Sequence, residues 1–360
     1  MADQPDTVIM SSDDLRKLVT QLFAAAGLAE DAAARVAAGL VEADLEGTPS
    51  HGVMLVDMYV DRMRHGSVSC MPSARVVSER GCAVVLDAVH ALGQLTGEQA
   101  MGLAIDRARE HGVGIAAVRH AFHFGTARHY AQCAAEAGCI GIVMCNTRPL
   151  MPAPGGAERV VGNNPLGIAI PIAGPAPIVL DMATSEAAMG KIRMADKAHQ
   201  PIPDTWAVTA DGAPTTDAAA AIAGMLLPSG GPKGFGLAFV IDLMCGLLSS
   251  GAIGEEVRPL YGDPSTPYDC SHLFMAIDVA HFCEIGAFRK RAAEAAERIR
   301  SGRRASGVST LFAPGEPEWR RRVASQGVVH LAPETARMLA RLARELGVPA
   351  APLQPREGAG

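Results

Sequence analysis

Residues 119–130, RHAFHFGTARHY, place His120, His123 and His129 beside Arg119 and Arg128 in a chain that is only 4% aromatic and 19% charged. His123 falls on a turn between a strand expected to end near Arg119 and a helix expected to open at Gly125 and Thr126. Side chains and helix N–H groups reach ligands from such turns. Imidazole titrates near neutrality, so a histidine there can give or take a proton as a carbonyl is reduced or an alcohol oxidised. The residues alone leave a second reading open, a hydrogen-bonded structural histidine at a helix mouth. His120 and His129 read as surface residues. A metal on His120 and His123 needs further ligands at defined spacing, and none can be located, so no metal is expected.

Two other polar segments interrupt the apolar pattern. In EGTPSHGVM, Ser50 and His51 precede a helix, where Ser50 could serve only as a cap. In the long stretch from CNTRPLMPAPGG to PDTWAV, Gly155, Gly156, Gly162, Asn163 and Asn164 make backbone-rich loops that can approach a phosphate closely. Asp181 ends an apolar strand ahead of Thr184 and Ser185, as a ligand-facing group or as part of a helix cap. In LPSGGPKGFG, Lys233 stands at a helix start, where a cation beside free N–H groups suits a pyrophosphate; simple solvent exposure is the other reading. Nowhere does G-x-G-x-x-G open a helix after a strand, so a bound nucleotide is held in some other way.

The elements that must position these groups follow from periodicity. Ser11 or Ser12 starts a helix with Leu15, Leu18, Val19, Leu22 and Phe23 on one face, and helices at about 31–44 and 53–64 follow. Short β-branched runs (ARVVSE, AVVLDAV, VGIAAV, IGIVMC, LGIAIPI, PIVLDM) then alternate with helices near 94–111 and 126–137. KGFGLAFVIDLMCGLL, apolar nearly all round, reads as a buried helix, and HLFMAID as a strand. Helices at 282–300 and 333–346 close the chain. The expected division is a helical module (1–72), a sheet-containing domain (73–310), a segment returning to the helical module (311–347) and a loose tail (348–360).

Composition excludes several classes. The net charge is −6 over 360 residues, and the one dense charged run, RKRAAEAAERIRSGRR, mixes signs as a solvated helix face does, so no nucleic-acid partner is expected. The eight cysteines show no C-x-x-C pair and read as free thiols of a reducing compartment. The N-terminus lacks a cationic start followed by an apolar run, and the longest apolar stretch carries Asp242, so a cytoplasmic protein without a membrane partner is expected.

The order SHGV, HFG, GNNP, DMATS, IPDTWAV, PTTD and GPKGFGL resembles the type-2 malate/L-lactate dehydrogenase family of NAD(P)-dependent oxidoreductases, over residues 11–346. The stretch from IPDTWAV to GPKGFGL looks closest to the ureidoglycolate dehydrogenases within it. The resemblance implies an α+β, non-Rossmann fold, L-sulfolactate dehydrogenase-like: a mostly antiparallel sheet domain that binds NAD or NADP, and an N-terminal helical module completed by C-terminal helices. It implies a homodimer and a small-molecule substrate, with hydride moving between nicotinamide and a carbonyl or alcohol carbon of a small polar metabolite. His123 matches the acid/base of ureidoglycolate dehydrogenases, and His51 the proton donor of diketogulonate reductases. Thr147 (where the family has serine), Asp181, Met182, Ala183, Lys233, Gly315, Glu316 and Pro317 match cofactor contacts. Ser50, Tyr59 and position 55 lie on the substrate side. Members commonly carry arginine at that last position, where it is thought to grip a carboxylate; here it is Leu55, and isobutyl cannot replace guanidinium. Either another cation such as Arg148 takes over, or the substrate lacks a carboxylate there. The alternatives are a cyclic imino-acid (C=N) reductase and a non-catalytic relative that binds a nucleotide or metabolite.

Overall fold

The structure, a computed structural model, describes residues 7–349, so the expected tail lies almost wholly outside the described residues. Strand β1 (Val8–Ser11) leads into helices α1 (Ser12–Ala25), α2 (Glu30–Leu45) and α3 (Val56–Arg64). The Ser11 hydroxyl accepts the Asp14 N–H and caps α1, whose leucine stripe is buried. Each leucine in that stripe contributes on the order of 2 kcal/mol through burial. The third helix, expected from Val53, begins only at Val56. Two short 3₁₀ turns precede it, Pro49–His51 and Val53–Leu55. Asp44 of α2 causes this: its carboxylate accepts the Val53 N–H at 2.8 Å and lies where a Cβ on Gly52 would come within 2.4 Å. Only glycine lets the chain pass there.

The sheet domain runs through β2 (Arg75–Arg80), β3 (Ala83–Asp87), α4 (Gly93–His111), β4 (Val113–Ala121), α5 (Ala127–Glu136), β5 (Cys139–Cys145), β6 (Leu166–Ile170) and β7 (Ile178–Met182). A satellite follows, built from α6 (Met189–Lys197), β8 (Ala207–Val208), α7 (Ala218–Ala223) and β9 (Met225–Leu226), with its own small core around Ile192, Leu226 and Ala238. Helix α8 (Pro232–Ser249) and strand β10 (Cys270–Asp278) return to the sheet, before α9 (Ile285–Arg300), α10 (Glu316–Ala324), β11 (Val328–Leu331) and α11 (Pro333–Leu346).

The seven-stranded sheet has the order β2-β3-β4-β10-β5-β6-β7, and only β3–β4 is parallel, crossing over through α4. This is the expected mostly antiparallel, non-Rossmann sheet. Helices α4 and α5 pack on one face and α8 on the other. Strand β11 pairs antiparallel with β1, and α11 packs on α1 and α3, so the chain's end completes the helical module.

Three local expectations need correction. Helix α8 is not buried all round: Gly234, Ala238, Ile241, Asp242 and Cys245 face the sheet, while Leu237, Val240, Leu247 and Leu248 form an exposed apolar face. A helix packed on one side of a sheet has only one side to bury. It is long and apolar enough to cross a membrane by composition alone, but its buried Asp242 accepts from the Asn146 side chain at 2.9 Å. Helix α9 starts at Ile285, not Phe282, because the Glu284 carboxylate accepts the Gly286 and Ala287 N–H groups at 2.7 and 2.6 Å. The segment Gly315–Pro317, matched above to a cofactor-contacting loop of the family, is the mouth of α10, with Gly315 at φ +82° as its N-cap.

Candidate active site

The alternating strand directions bring one set of termini to one edge of the sheet. The C-terminal ends of β4, β5 and β7 and the N-terminal ends of β10 and β6 all lie there, and through them His123, Thr147, Asp181, Asn163 and Asn164. Residues well separated in sequence thus share one rim. The loop after β4 is pinned from below: a Cβ on Gly93, at the start of α4, would stand 2.2 Å from the Phe122 carbonyl.

His123 and His51 meet here, their ring centroids 5.4 Å apart and their planes tilted by 30°. The Tyr59 hydroxyl lies 2.5 Å from His123 Nδ1, and Gln94 Nε2 donates to that hydroxyl at 3.2 Å. Ser50 Oγ stands 2.9 Å from His51 Nδ1. Burial, then the neighbouring His51 and His272 rings, hold the His123 pKa well below its usual value, and burial lowers that of His51 too. Both rings are therefore neutral at pH 7. Burial pushes the Tyr59 hydroxyl up, so it stays protonated. Asp44, which fixes the loop carrying His51, is pushed up to about 7 by burial against its hydrogen bond from Val53.

On the other side of the rim the polar loops are stitched together. The Thr147 N–H donates to Asn164 Oδ1 at 2.8 Å, its hydroxyl donates to Asn163 Oδ1 at 3.0 Å, and Asn164 Nδ2 donates to the Ala238 carbonyl of α8 at 2.9 Å. Thr184 donates its N–H to Asn163, and Ser229 donates to Thr184. Four segments that were separate in sequence therefore converge beside the start of α8. That start has no side-chain cap, follows Gly230 and Gly231 at φ +62° and +64°, and carries exposed Lys233. Uncapped amides next to a lysine fit an anionic cofactor group. The Thr184 hydroxyl, buried and without a partner among the described residues, also points to a missing polar neighbour.

Asp181, one residue before the end of β7, accepts the Arg128 N–H at the mouth of α5, at 3.3 Å, with Met182 and Ala183 half-buried after it. Gly315 lies against this strand: a Cβ there would come within 2.7 Å of Val179. Glu316 accepts the Ala313 N–H at 3.0 Å and Pro317 follows in the first turn of α10. The Arg128 guanidinium, buried, pairs with Glu46 at 3.3 Å and so ties this corner to the helical module.

Two substrate-side expectations change. Leu55 is 2% exposed and belongs to the main apolar core, so it lines no open wall. Tyr59 is fully buried and touches His123 rather than open space. Arg148 is half-buried and makes no hydrogen bond or ion pair with the described residues. Burial, then repulsion from Arg159 and Arg193, lowers its pKa. His120 binds Asp87 at 3.0 Å, a different partner from that of His123. Sequence reasoning missed Gln94 and Asp44, which show no motif. It also missed Asn146, whose side chain donates to Asp242 and the Ala252 carbonyl and accepts from the Ser271 N–H at 2.7 Å.

The rim of a non-Rossmann sheet thus carries a neutral imidazole pair on one side and an uncapped helix start with a lysine on the other. The family profile described as malate/L-lactate dehydrogenase matches residues 10–340, and the chain belongs to that family. It is an oxidoreductase that uses a nicotinamide cofactor. The ureidoglycolate dehydrogenase (NAD(+)) of Escherichia coli K12 is 35% identical, over 89% of this chain and 91% of its own length. The solved sulfolactate dehydrogenase of Methanocaldococcus jannaschii superimposes with a TM-score of 0.89 at 34% identity, covering 94% of this chain and 98% of that one. The solved delta1-piperideine-2-carboxylate reductase of Pseudomonas syringae pvar. tomato gives 0.83 at 27% identity, covering 94% and 100%.

Proposed function

We propose that the chain interconverts a small 2-hydroxy acid and its 2-oxo acid, with His123 as the acid/base. The contact that carries this reading is the 2.5 Å approach of Tyr59 Oη to His123 Nδ1. With the proton on Nδ1, the imidazole donates to Tyr59, and Tyr59 donates onward to Gln94 Oε1, which otherwise lacks a partner, once the Gln94 amide is turned. That leaves the Nε2 lone pair to face substrate. In oxidation, His123 Nε2 takes the hydroxyl proton as the C–H hydride departs; in reduction, the imidazolium returns that proton to the nascent alkoxide. The nicotinamide, when bound, accepts or supplies the hydride. His51 keeps a second positive charge away by remaining neutral. Thr147, Asp181, Met182, Ala183, Lys233, Gly315, Glu316 and Pro317 hold the cofactor, and Arg148 takes the substrate carboxylate that Leu55 cannot. Ser50 orients His51.

A second reading, reduction of a cyclic C=N bond, is favoured by the likeness to the solved piperideine-2-carboxylate reductase. The test is one panel: malate, lactate, ureidoglycolate and sulfolactate with NAD and NADP, and 2-oxo acids and piperideine-2-carboxylate with NADH and NADPH. Turnover of a 2-hydroxy or 2-oxo acid supports the main reading. Turnover of the imine alone selects the second, and no cofactor conversion with any compound refutes both in favour of a silent relative. The exposed apolar face of α8 supports a homodimer in which a second copy covers it. The free thiols suit a cytoplasmic setting.

A further inference from the structure

We propose that Cys145, Cys270 and His272 form a buried site for one thiophilic d¹⁰ cation, Cu(I) or Zn(II), bound through two sulfurs and one imidazole nitrogen. The three donor atoms lie within 4.8 Å of one another, and all three residues are buried. Cys270 Sγ stands 3.3 Å from His272 Nε2. Bonds of about 2.3 Å to sulfur and about 2.0 Å to nitrogen from a single cation place those donors roughly 3.5 Å apart. The arrangement is therefore near binding geometry already.

The sheet builds this set. His272 pairs directly with Cys145 across β10 and β5, and the irregularity in β10 between Cys270 and His272, where the register to β4 shifts, leaves the Cys270 sulfur beside the same ring. Phe124 stacks on the His272 ring with centroids 4.5 Å apart and fixes its plane. A second observation points to a ligand: His272 is 0% exposed, and its Nδ1 has no hydrogen-bond partner among the described residues. A buried polar nitrogen left alone is costly, and the ring can turn either nitrogen toward a cation. Soft thiolates and imidazole select Cu(I) and Zn(II) over harder ions. Cys245 packs on the opposite, α8 face of the sheet and adds no fourth donor. Three donors suit Cu(I), whereas charge suits Zn(II), because two thiolates and a neutral imidazole cancel its double charge in a dry interior. A cation here would clamp β5 to β10 under Phe124, the residue next to His123. It would serve as a structural tie and take no part in the hydride chemistry.

The site is enclosed, so loading belongs to synthesis or refolding. The full chain, without a histidine tag, is expressed in medium supplemented with copper or with zinc, and metal per chain is measured by atomic emission. Reduced protein is also refolded with one equivalent of chelator-buffered Cu(I) or of Zn(II). The expected result is about one equivalent of one of these ions per chain and a higher thermal midpoint. Cys145→Ser and Cys270→Ser should weaken binding at least a hundredfold, while Cys70→Ser, at an exposed thiol, keeps it; which ion is retained identifies the cation. Alkylation and peptide mass mapping of the wild type in partially denaturing urea, with and without the ion, cover the case in which a serine variant fails to fold: because burial already shields both thiols in the native chain, the expected result is protection of Cys145 and Cys270 that depends on the ion. No stoichiometric ion by either route, equal binding in a folded Cys270→Ser chain, shielding confined to Cys70 and Cys283, or a Cys145–Cys270 disulfide recovered in place of metal would each overturn the proposal.

Discussion

Tyr59→Phe removes one oxygen from the interior and tests whether the Tyr59 contact sets the protonation of His123. The hydroxyl is fully buried, 2.5 Å from His123 Nδ1 and 3.2 Å from the Gln94 side-chain amide. Phenylalanine keeps the ring packing against Phe122, at 5.1 Å between centroids, and leaves Nδ1 without a partner. A hydrogen bond to a charged group contributes about 1.5–3 kcal/mol, and the imidazolium state loses it most. Turnover should therefore fall roughly tenfold to 150-fold. The same energy lowers the His123 pKa by a further ~1–2 units, so the acidic limb of the oxidation profile moves to lower pH and reduction fades earlier as pH rises. Cofactor affinity should not change. The assay is nicotinamide absorbance with the substrate found active in the panel, from pH 5 to 9, with cofactor affinity read by fluorescence. A variant with turnover within twofold of wild type and a superimposable pH profile would refute the reasoning, because a merely packed tyrosine gives that result.

Further outcomes follow from the same geometry. Arg148→Ala should raise KM for a carboxylate substrate roughly tenfold to a hundredfold, with partial recovery in Arg148→Lys, since a bidentate charged contact is lost; an unchanged KM would place the carboxylate elsewhere. Lys233→Ala should weaken cofactor binding about tenfold at low salt and less at high salt, as titration at two ionic strengths would show. Asp44 has a pKa of about 7 in the folded chain against the ordinary aspartate value of 3.8, so the native state keeps a proton that the unfolded chain loses. Its contribution is full below about pH 4 and is lost as pH rises to about 7, with a slope of roughly −1.4 kcal/mol per pH unit. In Asp44→Asn, whose amide oxygen can still accept from Val53, that slope should vanish; parallel urea-unfolding curves for both proteins across pH 4–8 would contradict this.

Much of the site was legible because its chemistry lies in local motifs. His123 on its strand-to-helix turn, Lys233 at a helix start and the glycine and asparagine loops each advertise a backbone role within a few residues. The mostly antiparallel sheet was legible only through the ordered segments of the family, since β-branched runs fix strands and not their pairing. Other features arise from contacts between distant segments. Tyr59 and His123 are 64 positions apart, and Cys145 and His272 meet only because β5 and β10 pair. Leu55 looked like a changed substrate contact because members of the family commonly carry arginine at that position, yet here a 3₁₀ turn directs the residue into the core. The exposed face of α8 could not be told from a buried one, because an all-apolar helix carries no mark of which side the sheet covers.

His123→Asn tests the central claim most directly. Turnover should fall about a hundredfold or more, while cofactor affinity and the thermal midpoint stay close to wild type. Near-normal turnover in His123→Asn would contradict the account, whatever His51→Asn shows.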